Sequence, residues 1–176
     1  MSAMNRLRGA LLLLPAAAAA ALVAVALPSA SADQDRGQSE LAAAREFTAG
    51  LRTPARAEAA GWFDSGLPCF QNPGSGSNNG GMGLHWLRKG PDGAVPDPAK
   101  PEALVFDPVT KKLVAVEYVV LKDAWVGAQP PSLFGQTFTP TTLPNGAVVY
   151  KLHAWIWEPN PNGMFKDFNP RVSLCP

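Results

Sequence analysis

Residues 113–121 read Leu-Val-Ala-Val-Glu-Tyr-Val-Val-Leu, and this run decides the expected fold. Apolar residues occupy both alternating sets of positions, which is typical of a strand that is covered on both faces. Glu117 is the one charged side chain in the run. By the alternation of strand side chains, a carboxylate is expected on one face with Leu113, Ala115, Val119 and Leu121.

Four segments have strand character and are expected to form one sheet: residues 82–87, 103–107, 112–122 and 147–158. The sequence Asp-Pro-Val-Thr-Lys at 107–111 is typical of a hairpin turn. The second and third strands are therefore expected to be antiparallel. Irregular connections are predicted where Gly, Pro, Ser and Asn accumulate, at residues 68–81, 128–144 and 159–176.

A helix is predicted before the strands, over residues 39–47, which are rich in helix formers. Ser39 is a suitable N-cap, and Gly50 and Pro54 end the pattern. Apolar positions recur at helical spacing, at Leu41, Ala44, Phe47 and Leu51. A second short helix is expected over residues 55–60, so that the two helices form a hairpin against the sheet.

These elements predict an α+β fold. The expected architecture is a curved, mostly antiparallel sheet or a partial β-barrel, with the N-terminal helical pair packed on one side. The pattern does not decide between a barrel and an open sheet. A chain of about 144 residues after the leader suits a single domain, which buries about two thirds of its unfolded surface.

The first 32 residues have the features of a secretory signal peptide. Arg6 and Arg8 give a basic start, and residues 10–27 form an uncharged apolar run. Ala30-Ser31-Ala32 fits the pattern that signal peptidase recognises, so cleavage is expected after Ala32. The mature protein is then expected to be secreted or extracytoplasmic, in the periplasm or the cell wall.

An uncleaved membrane anchor is the alternative, because about 18 apolar residues reach the lower limit for spanning a bilayer. Alanine dominates the run and Pro15 interrupts it, which favours cleavage and no stable anchor afterwards. The expected organisation is a signal peptide at residues 1–32, a flexible N-terminus at residues 33–38 and one globular domain at residues 39–176.

Charge gives no indication of a polyanionic partner. Removing the leader takes Arg6 and Arg8 from the 15 basic side chains and none of the 14 acidic ones, which leaves 13 and 14 and a formal net charge of −1. The longest basic runs are the pairs Arg88-Lys89 and Lys111-Lys112. A nucleic-acid binder would present a larger basic patch, so that class of partner is not expected.

The two cysteines, Cys69 and Cys175, are expected to form a disulfide, because the chain is predicted to be exported and the count is even. The bond would close a loop of about 100 residues and contribute about 4 kcal/mol in the chain-entropy treatment. A catalytic thiol is the alternative, and it would require a free cysteine.

A metal site is predicted from the placement of four side chains. The chain has two histidines, His85 and His153, and both fall inside predicted strands. If the faces that carry Glu117 and His153 look into one interior, four side chains can converge on one divalent transition metal: His85, Glu102, Glu117 and His153. Two imidazoles with one or two carboxylates suit Zn, Cu, Fe or Mn. No local motif such as His-Glu-x-x-His supports the site, which rests on strand alternation alone.

A structural network is the alternative interpretation of the same residues. Glu117 would then pair with Lys151 or His153, and His85 would hydrogen-bond a loop carbonyl. Buried polar groups in proteins are usually satisfied in this way. Left charged and unpaired, the Glu117 carboxylate would cost several kcal/mol.

An aromatic pocket is a further possibility, because strand alternation puts Lys151, Trp155 and Trp157 on the face of His153. A concave site lined by aromatic and a few polar groups would suit a small polar ligand. The usual catalytic signatures, such as Gly-x-Ser-x-Gly and Ser-x-x-Lys, are absent. The sequence identifies no catalytic residue and leaves open whether the protein is an enzyme.

The leading functional hypothesis is an extracytoplasmic protein that binds a divalent transition metal or a small polar ligand through buried His and Glu side chains. Two alternatives remain: a metal-dependent enzyme that acts on an extracellular small molecule, and a structural envelope protein without a ligand. The oligomeric state is left open.

Six short segments form a combined pattern: Gly81-Met82-Gly83-Leu84-His85, Pro101-Glu102-Ala103-Leu104, Val116-Glu117-Tyr118, Leu152-His153-Ala154-Trp155, Asn160-Pro161-Asn162-Gly163-Met164-Phe165 and Asn169-Pro170-Arg171-Val172. The pattern resembles a family of small exported bacterial proteins annotated only as hypothetical, without an established activity. The resemblance covers about residues 40–176. It implies export and a single domain, and it implies no substrate, cofactor or catalytic residue.

Overall fold

The structure is a computed structural model. It describes residues 30–88, 95–143 and 145–176. These residues form two helices, α1 (Ala30–Thr48) and α2 (Pro54–Ala59). The strands that follow are β1 (Trp62–Asp64), β2 (Phe70–Asn72), β3 (Gly80–Arg88), β4 (Ala103–Phe106), β5 (Leu113–Leu121), β6 (Ser132–Leu133), β7 (Gln136–Thr137), β8 (Thr139–Thr142) and β9 (Val148–Ala154). A short 3₁₀ turn at Lys122–Ala124 follows β5.

Seven strands form one antiparallel sheet. Their order is β1-β3-β4-β5-β9-β8, and β2 pairs with the first half of β3, whereas β1 pairs with its second half. β6 and β7 form a separate hairpin. The fold is α+β, as the sequence predicts. Of the two architectures left open, the protein has an open sheet, with β1 at one end of the strand order and β8 at the other.

All four strands predicted from the sequence are present, as β3, β4, β5 and β9. β4 and β5 form the predicted antiparallel hairpin. Asp107 stabilises its turn, because Oδ1 accepts hydrogen bonds from the backbone N–H groups of Val109 at 2.9 Å and Thr110 at 2.7 Å. The side chain thus satisfies backbone groups that have no partner strand at the turn.

The N-terminal helix is longer than predicted. α1 begins at Ala30, so residues 33–38 are helical. Ser39 lies inside the helix, where its Oγ donates a hydrogen bond to the Arg36 carbonyl at 2.8 Å. The prediction that Ser39 caps the helix is therefore wrong.

Tertiary contacts explain this extension of α1. Gly37 is buried, and the backbone of Phe134 in the β6–β7 hairpin lies close to it. The Phe134 N–H also donates a hydrogen bond to the Glu40 carboxylate. The second helix is as predicted: it begins at Pro54, and the Thr53 hydroxyl caps it.

Five strands were not predicted: β1, β2, β6, β7 and β8. Each has two to four residues, which is too short for an alternating pattern to be recognised. β2 lies in the 68–81 segment that was predicted to be a loop, and β6 to β8 lie in the 128–144 segment. They are strands because they pair with β3, with β9 or with each other.

Both faces of the sheet are buried. The first, which we call the helix face, packs against α1 and α2 through a cluster that includes Leu41, Ala44, Ala57, Leu104, Phe106, Tyr118 and Leu152. The second, which we call the tail face, has a smaller cluster of Val105, Val114, Ala115, Trp155 and Val172. A bulge interrupts the β4–β5 register at Val105 and Phe106. Leu113 therefore joins the helix face, and the prediction that it shares the face of Glu117 is wrong.

The C-terminal coil, residues 155–176, covers the tail face. Asn169 is fully buried, and its backbone exchanges two hydrogen bonds with Gly81, at 3.0 and 3.2 Å. The Ser173 N–H donates to Asp107 Oδ2 at 2.8 Å, which ties the coil to the β4–β5 turn.

The predicted disulfide is present. It joins Cys69 to Cys175 with 5.8 Å between the Cα atoms, and it connects the end of the C-terminal coil to the residue before β2. Neither thiol is free, so the alternative of a catalytic cysteine is wrong. A disulfide is compatible with an extracytoplasmic location.

Replacing Gly80 with alanine is expected to destabilise the protein by at least about 2 kcal/mol. Gly80 has a φ of +117°, and an added Cβ would lie 2.2 Å from the carbonyl carbon of Asn169. Urea denaturation measures the loss. The matched control is Gly50→Ala, because nothing lies within 4 Å of a Cβ at Gly50. Equal stability of the two variants would contradict the close approach of the coil.

No helix in residues 30–88, 95–143 and 145–176 is long and apolar enough to cross a membrane. The apolar run at 10–27 and most of the predicted signal peptide lie outside the described residues. The predicted cleavage after Ala32 falls in the first turn of α1.

Candidate ligand site

A polar cluster lies on the tail face, made of His85, Glu117, Lys151, His153 and Asp167. Glu117 on β5 is directly opposite His153 on the antiparallel strand β9. Lys151 lies two residues before His153 and so points to the same face. His85 comes from β3, and Asp167 comes from the C-terminal coil. The sheet register therefore brings together three of the four residues proposed from the sequence as metal ligands.

Glu117 is at the centre of the cluster but is loosely held. Its Oε2 lies 3.5 Å from His85 Nε2, and its Oε1 lies 3.9 Å from both His153 Nδ1 and Lys151 Nζ. These distances are at or beyond the limit of a hydrogen bond. The short contact of the cluster is between Lys151 Nζ and Asp167 Oδ1, at 3.0 Å. The best partner of the ammonium is therefore Asp167, not Glu117.

His153 is an unusual buried side chain. It is 1 % exposed, and neither ring nitrogen has a hydrogen-bond partner among the residues that the structure describes. Its ring stacks on Trp155, with 5.1 Å between ring centroids and 5° between planes. His85 is also buried, and its Nδ1 has no partner. A buried polar group without a hydrogen-bond partner destabilises the folded protein by about 1–3 kcal/mol. These nitrogens are therefore candidates for binding a ligand or a metal ion.

Burial and charge set the ionisation of the cluster. Burial lowers the pKa of His85, and it lowers the pKa of His153 to about 3, so both imidazoles are neutral at neutral pH. For Glu117, burial acts to raise the pKa, but the attraction of the protonated forms of His153 and His85 and of the Lys151 ammonium outweighs it, and the pKa is lowered. Because the imidazoles are neutral, Lys151 is the cation that supports the Glu117 carboxylate at neutral pH.

A cavity of about 410 Å³ opens above this cluster. We call it the His85 pocket. Its polar floor consists of His85, Glu117, Lys151 and Asp167. Its apolar wall consists of Leu67, Phe70, Met82, Leu143 and Phe168. A polar floor under apolar walls is the usual construction of a small-molecule site.

The structure does not bring Glu102 into the cluster. Its Oε2 accepts a hydrogen bond from the Val119 N–H at 2.8 Å, and its own N–H donates to the Glu117 carbonyl at 3.0 Å. The residue thus continues the β4–β5 pairing beyond the end of β4. Its neighbour Ala103 is the residue that lies opposite Glu117, so alternation turns Glu102 away from that face.

The two tryptophans proposed as pocket residues do not line the His85 pocket, whereas Lys151 does. Trp155 is buried beside His153, and its Nε1 donates to the Lys166 carbonyl. β9 ends at Ala154, so strand alternation does not extend to Trp157. Trp157 packs instead on the helix-face cluster, which corrects the prediction that it shares a face with His153.

Several residues that line the His85 pocket were not predicted from the sequence. Asp167 and Phe168 lie in the coil, Phe70 lies in the short strand β2, and Leu143 follows β8. None of these segments has a periodic pattern that would assign a face. The position of the coil depends on backbone contacts such as those of Asn169, which sequence alone does not reveal.

No group of three or more His, Cys, Asp or Glu side chains in the described part of the chain is arranged to hold a metal ion. In the cluster, the Lys151 ammonium lies 3.9 Å from Glu117 Oε1 and 3.0 Å from Asp167 Oδ1. The metal site and its cofactor therefore remain predictions.

The fold and the pocket define a class: an α+β fold with an open antiparallel sheet and a cavity between one sheet face and a covering coil. Comparisons of the chain with known protein families, with curated proteins and with solved structures found no match. The resemblance to small exported proteins remains a prediction, and the argument for function rests on the site itself.

The free energy of unfolding is expected to fall by on the order of 2 kcal/mol between about pH 7 and about pH 5. The pKa of His153 is about 3 in the folded protein and 6.5 in the reference state. The unfolded chain therefore binds the proton first as the pH falls below 6.5, which favours unfolding. His85 shifts in the same direction.

Urea denaturation at both pH values measures this effect. Glu117, Lys151 and Asp167 are the charged groups that face the imidazoles. The two histidines are expected to dominate the change, because burial lowers the pKa of each from a reference value of 6.5, which lies in this range. His153→Gln keeps a polar side chain that does not titrate, and it is expected to reduce the pH dependence. An unchanged pH dependence in that variant would contradict a neutral, buried His153.

Proposed function

We propose that this protein binds a small organic cation in the His85 pocket. The ligand has a protonated amine, which pairs with Glu117, and an apolar body, which contacts the walls. The observation that carries the proposal is the Glu117 carboxylate, which lies on the floor of an open cavity without a close hydrogen bond.

Charge supports a cationic ligand. Lys151 and Asp167 form a close ion pair and largely neutralise each other. His85 and His153 are neutral at neutral pH because burial lowers the pKa of each ring. Glu117 then leaves the floor with a surplus negative charge. A positively charged group placed against Glu117 would neutralise this charge in a partly desolvated site, where such pairing is strong.

The walls support an organic ligand in preference to a bare ion. Phe70 and Phe168 are aromatic, and Leu67, Met82 and Leu143 are aliphatic. Aromatic faces near a cation add attraction to that of the carboxylate. A volume of about 410 Å³ is in the range of small-molecule sites.

Thermal denaturation with three matched compounds tests the proposal. Benzylamine is positively charged at neutral pH, benzyl alcohol is neutral, and benzoate is negative, while all three carry one aromatic ring. Benzylamine at about a hundredfold excess over its Kd is expected to raise Tm by about 5 °C. The other two compounds are expected to have little effect. Equal shifts for all three compounds would contradict a site selected by charge.

A divalent transition metal is the second candidate, and the unpartnered nitrogens of His153 favour it. Donor atoms bound to Zn²⁺ lie about 2.0–2.2 Å from the ion and hence about 3.3–3.6 Å from each other. The 3.5 Å between His85 Nε2 and Glu117 Oε2 is in this range. The 3.9 Å between His153 Nδ1 and Glu117 Oε1 would have to shorten, and Lys151 would have to move away.

Elemental analysis of protein purified without chelators or a histidine tag tests the metal candidate. A metal ion held by the cluster is expected at near one equivalent in the wild type and to be lost in the His85→Ala/His153→Ala double variant. Protein without Zn, Cu, Fe or Mn whose Tm also does not respond to these ions would exclude this candidate and leave the organic cation.

We also propose that the protein acts outside the cytoplasm, in the periplasm or the cell wall. The predicted signal peptide and the Cys69–Cys175 disulfide support this location. N-terminal sequencing of the protein from its native source is expected to begin at Asp33. A sequence that begins at Met1 would contradict removal of the leader.

A further inference from the structure

A second cavity lies beside the turn that joins β4 to β5. It has a volume of about 180 Å³ and shares no lining residue with the His85 pocket. Three cationic side chains line it: Arg52, Lys112 and Arg171. The Trp157 side chain lines it as well. We call it the Arg52 cleft.

The guanidinium group of Arg52 is held in a fixed plane. Its Cζ lies 3.6 Å from the centroid of the Trp157 ring. The indole is itself anchored, because Trp157 Nε1 donates to Thr48 Oγ1 at 3.0 Å and the Thr48 hydroxyl donates to the Ala44 carbonyl at 2.7 Å. Cation–π stacking on an anchored indole therefore orients the fork of Arg52 donors before any ligand arrives.

The cations of the cleft form no ion pair within the described part of the chain. Arg52 Nε is buried and has no hydrogen-bond acceptor in residues 30–88, 95–143 and 145–176. Arg52, Lys112 and Arg171 form no ion pair with the residues that the structure describes. The Asp107 carboxylate lines the cleft but is already engaged, since it accepts hydrogen bonds from the backbone N–H groups of Val109, Thr110 and Ser173.

We propose that the Arg52 cleft binds an oxyanion, either a carboxylate or a phosphate group. Guanidinium groups bind both in a forked, two-bond geometry. The cleft has three cations and two carboxylates, Asp107 and Glu158, so a negative ligand would neutralise its remaining positive charge. Its volume is below that of pockets for whole drug-sized molecules, so it accommodates one anionic group.

Titrations followed by NMR of the tryptophan indole N–H groups test the proposal. The probes are acetate, inorganic phosphate and phenyl phosphate, with sodium chloride at matched ionic strength to account for screening. The Trp157 signal, assigned with Trp157→Phe, is expected to shift and saturate with acetate or a phosphate probe. Binding of inorganic phosphate would indicate a free ion, and stronger binding of phenyl phosphate would indicate the anionic group of a larger molecule.

Arg52→Gln is expected to weaken this binding at least about tenfold, because it removes the oriented fork. Arg171→Gln is a second variant, at an exposed residue, and it is available if Arg52→Gln does not fold. It is expected to weaken the binding of the probes at least about threefold. The matched control is Arg56→Gln, at an exposed position of α2. A Trp157 signal that responds to these probes no more than to chloride would overturn the proposal, as would wild-type affinity in both variants.

Discussion

Glu117→Gln is expected to weaken the binding of benzylamine to the His85 pocket by at least about thirtyfold. The substitution keeps the size of the side chain and removes the surplus negative charge from the floor. Lys151 stays paired with Asp167, so the floor of the pocket then has no net negative charge to attract an amine. Isothermal titration calorimetry on wild type and variant measures the difference.

The matched control is Glu58→Gln. Glu58 lies at an exposed position of α2, so the substitution removes the same charge from the protein without touching the pocket. It is expected to leave the affinity for benzylamine within about twofold of wild type. Circular dichroism would establish that both variants are folded. If Glu117→Gln bound benzylamine as well as Glu58→Gln, Glu117 would not be the group that recognises the cation.

The Cys69→Ser/Cys175→Ser double variant is expected to lose about 4 kcal/mol of the free energy of unfolding. The disulfide joins residues that are 106 positions apart, so it restricts a large loop of the unfolded chain. In the folded protein it fixes the end of the coil that covers the tail face. Urea denaturation of the variant and the oxidised wild type measures the loss.

Reduction of the wild type provides the control for this prediction. Wild-type protein treated with a phosphine reductant is expected to match the double variant, because the two share the same open loop. A loss below about 1 kcal/mol in both would contradict a stabilising role of the bond. Since the coil supplies Asp167 and Phe168 to the His85 pocket, the double variant is also expected to bind benzylamine more weakly.

The polar cluster is difficult to explain by stability alone. Replacing a buried ion pair with apolar side chains of similar volume often leaves the protein equally stable or makes it more stable. His153 and His85 carry ring nitrogens without partners, which adds a further cost in the folded state. Ionisable groups with perturbed pKa values that gather at a cavity are more typical of a functional site. This reasoning favours a ligand over a purely structural network around Glu117.

The sequence predicts the fold where segments are long enough to have a period. The runs that form β3, β4, β5 and β9 are recognisable from their apolar residues, and the alternation of side chains places Lys151 and His153 on one face of β9. That Glu117 shares this face was only a condition of the metal hypothesis, and the β5–β9 register fulfils it. The bulge that moved Leu113 to the other face has no such signal. One inserted residue is enough to reverse the alternation beyond it.

The rest of the site depends on contacts between distant segments. Asp167 and Phe168 reach the pocket because the coil is held by the Asn169–Gly81 hydrogen bonds and by the disulfide. Trp157 leaves the face of His153 because β9 ends three residues earlier, at Ala154. Neither feature follows from the composition of its own segment.

The most direct test of the central claim is a methyl NMR titration of selectively labelled methionines with benzylamine. Met82 lines the His85 pocket, whereas Met164 packs against the helix-face cluster and is an internal control. We expect the Met82 methyl signal to shift and saturate with benzylamine but not with benzyl alcohol, while Met164 stays unchanged. A Met82 signal that does not respond, or that moves equally with the alcohol, would contradict a cation site on the Glu117 floor.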